Sequence, residues 1–122
     1  QWEAWLRSHA DDNAVSRKIR DVRELESFGA EVMAAEADVT DVEAVRRVVD
    51  EATKRFGAIH GVVHGAGTLH DNLISLKTQS EAEAVFAPKV HGAMVLDEAM
   101  RGTPLDFFLV FSSTSTVTSP TG

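Results

Sequence analysis

Lys89, Ser113 and Asp38 are the side chains whose type and setting could do chemistry here. An ammonium at Lys89 can lower the pKa of a neighbouring acid or hold a ribose hydroxyl. The Ser113 hydroxyl, at the end of an apolar run, can donate to a carbonyl or stabilise developing oxyanion charge. The Asp38 carboxylate can accept from an adenine amino group while the Val39 N–H donates to the ring. Each has a plainer alternative: a helix lysine reaching solvent, a hydroxyl capping local backbone, a turn aspartate before a helix. Taken singly, the residues leave both readings open.

The stretch Ile59-His-Gly-Val-Val-His-Gly-Ala-Gly67 organises the rest. Val62 and Val63 are β-branched and flanked by glycine, which suits a strand buried on both faces. Gly65, Ala66 and Gly67 then leave the strand's carboxyl end almost bare, so a bulky ligand could approach the backbone closely. A tight turn with no ligand accounts equally well for these small residues. Three strand ends deliver small or polar residues to one edge: Asp38, Gly65 to Gly67, and Ser112-Ser113. Their convergence says more than any one of them.

The elements that position these residues follow from periodicity. Gln1 to Ala10 has helical spacing of Trp2, Trp5, Leu6 and His9. Asp11-Asp12-Asn13 supplies a turn and an N-cap for a second helix, carrying Val15, Ile19, Val22, Leu25 and Phe28 and stopped by Gly29. Glu31 to Ala37 is a short strand candidate. Thr40-Asp-Val-Glu43 has capping-box spacing ahead of a helix with Val42, Val45, Val48, Val49, Ala52 and Phe56 on one face, closed by Gly57. Thr68 to Gln79 reads as an irregular connection. Ser80 to Met100 is helical but holds Pro88, which predicts a short helix, a break, and a longer helix with Pro88 in its first turn. Leu105 to Phe111 is a second buried strand, continued by a hydroxyl-rich tail to Thr118. Strand, helix, strand, helix, strand in this order implies parallel strands with crossover helices, an α/β fold.

Composition bounds the function. The 122 residues are 43% hydrophobic and 25% charged, as expected of one small globular domain or part of a larger one. The net charge of −7, with basic residues scattered among acids, argues against nucleic acid as a partner. The absence of cysteine excludes disulfides and thiolate zinc sites and fits a reducing cytoplasm. No apolar run approaches membrane-spanning length, and the first residues lack a signal-peptide layout. The five histidines have no ligand spacing and no carboxylate to orient one as a base. His60, His64, His70 and His91 therefore read as structural or surface residues, and no metal is expected. Neither a G-x-S-x-G elbow nor a Walker motif is present.

Read together, several stretches resemble the ketoreductase domain of modular polyketide synthases, a branch of the short-chain dehydrogenase/reductase family. They are Trp2-Glu-Ala-Trp5, Leu25-Glu-Ser-Phe-Gly-Ala-Glu-Val32, Ala37-Asp-Val-Thr-Asp41 and Gly61-Val-Val-His-Gly-Ala-Gly67. They continue with Phe86-Ala-Pro-Lys-Val-His-Gly-Ala93 and Pro104-Leu-Asp-Phe-Phe-Leu-Val-Phe-Ser-Ser113. The resemblance covers essentially the whole chain and turns Lys89 and Ser113 into catalytic candidates. It implies a Rossmann-like parallel sheet between helical layers, incomplete here with about three strands. The implied reaction is hydride transfer from NADPH to the β-keto group of an acyl thioester on an acyl carrier protein's phosphopantetheine arm, alongside other synthase domains. Asp38 and Val39 would hold the adenine, and Gly65, Ala66 and Gly67 would line the cofactor cleft. Ser113 would bond the ketone oxygen, and Lys89 would support a tyrosine that protonates the alkoxide. Asp71 stands where the family's stereochemical aspartate is found, and Thr118 where the opposite class has tryptophan. Both imply the D-hydroxy product.

The resemblance also implies what these residues do not supply. There is no tyrosine, and the family's glycine-rich loop and 2′-phosphate arginine would precede Gln1. The stretch is expected to be an internal piece without turnover of its own. In the family's strand order two strands lie between the Glu31 and Ile59 strands. Their absence predicts a direct, non-parental pairing of the exposed edges, self-association, or strands supplied by other chains. Two other functions stay open: an inactive reductase-like scaffold within a synthase module, and a free-standing reductase of small ketones.

Overall fold

The computed structural model describes residues 2–113. These fall into two compact units that divide between Ala34 and Ala35.

The first unit is a helical hairpin. Helix α1 (Trp2–Ser8) stacks the Trp5 ring on His9, with centroids 3.6 Å apart. Asn13 caps helix α2 (Ala14–Ser27), its side chain accepting from the N–H groups of Val15 and Ser16. That satisfies donors which the first turn otherwise leaves orphaned. Helix α2 buries Ser16 and Ile19, and Arg23 pairs with Glu3 across the hairpin.

The second unit carries the sheet. Helix α3 (Val42–Phe56) begins at Asp41, whose Oδ1 accepts from the N–H groups of Glu43 and Ala44. The expected capping box at Thr40 does not form. Thr40 instead donates to Asp38, which leaves the cap one residue later. The helix ends at Gly57, where φ is 89°, a left-handed turn that side chains with a Cβ resist. Arg46 of α3 bonds Glu98, on the later helix over Gly92–Ala99, at 3.1 Å. Ala44, Val45 and Met100 form the buried apolar core of this unit.

Strand β1 (Gly61–His64) pairs in parallel with β2 (Phe107–Val110), with Gly61 opposite Phe107 and His64 opposite Val110. A Cβ on Gly61 would overlap the Phe107 ring, so a side chain there would force the ring aside. A parallel pair requires a long crossover. Here it runs through a 3-10 turn at Ile74–Leu76, helix α4 (Gln79–Phe86), a π-helical turn (Ala87–His91) and helix α5 (Gly92–Ala99). Helix α4 opens on a capping box between Thr78 and Glu81 that the sequence reading passed over.

Three expectations need correction. Residues 31–37 form no strand, so the described sheet has two strands rather than about three, and the direct non-parental pairing is absent. A short segment without a neighbour to bond has no ladder to stabilise it. Neither strand is buried on both faces: Val63 is 57% exposed and Phe107 53%, whereas Val62 faces residues of α3 and α5. Finally, Pro88 does not break the helix. Its missing N–H is absorbed by the π-turn, in which the Gly92 N–H donates to the Ala87 carbonyl. The hydroxyl-rich tail beyond Ser113, with Thr118, lies outside the described residues.

Candidate active site

A crevice of about 430 Å³ opens at the carboxyl ends of β1 and β2. It is lined by His64, Gly65, Ala66, Gly67, Lys89 and Ser113 among others. The two strands deliver the glycine loop and the serine because they run parallel and end side by side, His64 opposite Val110. The crossover helix returns over the same edge and brings Lys89 against the loop. A Cβ on Gly67 would lie 3.2 Å from Lys89 Cε, so the lysine stem runs close against the bare backbone. A Cβ on Gly65 would sit in ordinary contact with the Phe111 ring, at 3.7 Å. Lys89 and Ser113 are both exposed.

The crevice combines bare backbone, a lysine side chain and a serine hydroxyl at its rim. It does not include every expected residue. Asp38 and Val39 sit on the segment before α3. Val39 lines a separate apolar groove of about 270 Å³ with Ala35, Val45, Val62 and Met100. Asp38 Oδ1 accepts from Thr40 N–H at 2.8 Å and from the Thr40 hydroxyl at 2.7 Å. These bonds, the backbone one foremost, hold its carboxyl below the usual range. That is the turn chemistry named above as the plainer alternative, and it leaves the adenine role to a proposal. Asp71 is exposed in the connection after the loop and does not line the crevice.

Two residues support the site through partners that the sequence does not display. His64, read from sequence among the structural or surface histidines, is 4% exposed and donates from Nε2 to the Lys89 carbonyl at 3.3 Å. Thr68, read as part of an irregular connection, donates its hydroxyl to the Ala84 carbonyl at 3.1 Å. A polar side chain ending an otherwise apolar strand was the available signal for His64.

Parallel strands joined by a helical crossover, with a crevice at their carboxyl ends, have the arrangement of a Rossmann-like α/β domain. Comparison with known proteins makes this specific. The chain belongs to the KR domain family, which matches residues 6–122. It is 40% identical over 98 residues to polyketide synthase PksN of Bacillus subtilis, covering 80% of this chain and 2% of that protein. A ketoreductase domain from the bacillaene assembly line superposes with a TM-score of 0.80 at 42% identity, over 87% of this chain and 25% of that one. An N-terminal ketoreductase from the macrolactin assembly line gives 0.81 at 34% identity, over 93% and 23%. The chain is thus a Rossmann-like stretch of a polyketide-synthase ketoreductase domain, spanning about a quarter of those solved structures.

Proposed function

We propose that the protein containing this stretch reduces a β-ketoacyl thioester, carried on an acyl carrier protein, to the β-hydroxyacyl thioester. NADPH supplies the hydride that adds to the ketone carbon, and a proton reaches the oxygen, giving the alcohol and NADP⁺. Ser113 donates its hydroxyl proton in a hydrogen bond to the ketone oxygen, favouring the charge that builds there. The Lys89 ammonium stabilises the phenolate of a tyrosine outside these residues, bringing that proton donor's pKa toward working pH. Gly65, Ala66 and Gly67 admit the cofactor, and Asp38 and Val39 hold its adenine. Asp71 directs the product to the D-hydroxy form. Lacking any tyrosine, the stretch has no turnover by itself.

One observation carries this reading: Lys89, the Gly65–Gly67 loop and Ser113, distant in sequence, line one crevice. The test is NADPH oxidation by the intact reductase domain with a diketide thioester. It should proceed with D-hydroxy product and fall about 10²-fold in Ser113→Ala, while residues 1–122 alone give no rate. An intact domain inert toward every β-ketoacyl thioester tried would refute the activity. Mainly L-hydroxy product would remove the role of Asp71, and turnover by the stretch alone would refute its dependence on an added tyrosine.

A further inference from the structure

We propose that His64, together with Thr68, is a positioning residue that ties the Gly65–Gly67 loop to the π-turn carrying Lys89. The inference rests on the proposed reductase reading and adds the device that sets the ammonium against the loop.

The need for the device begins at Pro88. A proline has no N–H, so the Ala84 carbonyl four residues earlier loses its helical donor. Thr68 replaces it, its hydroxyl donating to Ala84 O at 3.1 Å. The helix then widens through the π-turn, with the Gly92 N–H reaching Ala87 O. Such turns are uncommon and concentrate where function needs a particular helix face. Inside this one the Lys89 carbonyl accepts from His64 Nε2 at 3.3 Å. A carbonyl can only accept, so Nε2 must bear the imidazole proton.

The tie is rigid because its surroundings are full. His64 is 4% exposed, and a Cβ on Gly92, the first residue of α5, would meet Val39 Cγ1 at 2.8 Å and His64 Cε1 at 3.3 Å. His64 and Thr68 flank Gly65, Ala66 and Gly67, so the loop is fastened at both ends to the helical run that carries Lys89. With Lys89 Cε 3.2 Å from the position of a Gly67 Cβ, any slip of the turn moves the ammonium relative to the loop. Displacements of about 1 Å at a catalytic group can cost about 10²-fold in rate.

The test uses the intact reductase domain with His64→Leu, which keeps bulk but removes the donor, His64→Gln, which restores an Nε2 donor, and Thr68→Val at an exposed position. His64→Leu should lower kcat by about 10²-fold with KM for the thioester little changed. It should also move the limb of the kcat–pH profile that reports the tyrosine upward by roughly one unit, because the cation has left it. His64→Gln should recover most of the rate, and Thr68→Val should show a smaller loss of the same kind. Long-range ¹⁵N–¹H spectra of the ring, independent of turnover, should place the His64 proton on Nε2. A proton on Nδ1 alone, or a His64→Leu rate loss with an unmoved pH profile, would overturn the proposal, as would a wild-type rate. A wild-type domain that consumes no NADPH refutes the reductase reading instead, and the ring spectrum then decides the tie alone.

Discussion

The two flanks of β1 are built differently. At its carboxyl end the backbone is bare, yet every neighbouring element is fastened: Thr68 to Ala84, His64 to Lys89, β1 to β2. Along its other flank lies the apolar groove of Ala35, Ala37, Val39 and Val62, bounded by α3 and Met100, with no strand against β1 among the described residues. Polar ties are short-range and can be completed by residues close to one strand end. Sheet pairing needs a partner of the right length and direction, and residues 31–37 do not provide it. The crevice is therefore fixed by local chemistry, while the groove reflects what sheet formation demands of the chain.

The contrast is sharpest at Lys89. In the intact reductase, Lys89→Met should cost about 10²- to 10⁴-fold in kcat, with the thermal midpoint unmoved because the side chain is exposed. A fall in the midpoint matching the rate loss would make Lys89 a packing residue and erase the distinction between the flanks. On the groove side the reverse holds. Met100 is 5% exposed, so Met100→Ala should destabilise the domain by about 2–5 kcal/mol in urea unfolding. Folded Met100→Ala protein should keep its affinity for NADPH.

The smallest effect is at Asp38. Its carboxyl is held below its ordinary range by the Thr40 backbone N–H and then by the Thr40 hydroxyl. The unfolded chain therefore binds this proton more readily than the folded one. The bonds contribute above the unfolded pKa and are lost as pH falls through the folded one. Comparing urea midpoints at neutral pH and near pH 3, about one unit below the ordinary Asp pKa, wild type should lose slightly more on acidification than Asp38→Asn. The carboxylate is solvent-exposed, so the difference is small. Equal losses would mean that the Thr40 bonds do not persist in solution.

How much the sequence disclosed follows the same division. Helix α3 was legible because its apolar face, first-turn acid, last-turn Lys54 and Arg55 and terminal Gly57 all agree; only the cap moved, from Thr40 to Asp41. The strand proposed over Glu31–Ala37 was not, since a strand is a property of two segments and periodicity reports one. Pro88 misled for a related reason. Proline forbids one hydrogen bond, but Thr68, sixteen residues away from Ala84, supplies its replacement. Lys89, Ser113 and Gly65 to Gly67 were named from residue type and resemblance, and they share the crevice. His64 reads from sequence as structural or surface, and it is structural; its partner is a backbone carbonyl that sequence does not display.

The proposed reductase reading requires Lys89 and Ser113 to serve one nicotinamide at this crevice. A crystal structure of the intact reductase domain with bound NADP⁺ tests it directly. The nicotinamide should lie against Gly65–Gly67, with Lys89 Nζ on the adjoining ribose and Ser113 Oγ facing the ring's reactive side. A nicotinamide ordered elsewhere, or reached by only one of the two side chains, would contradict the account.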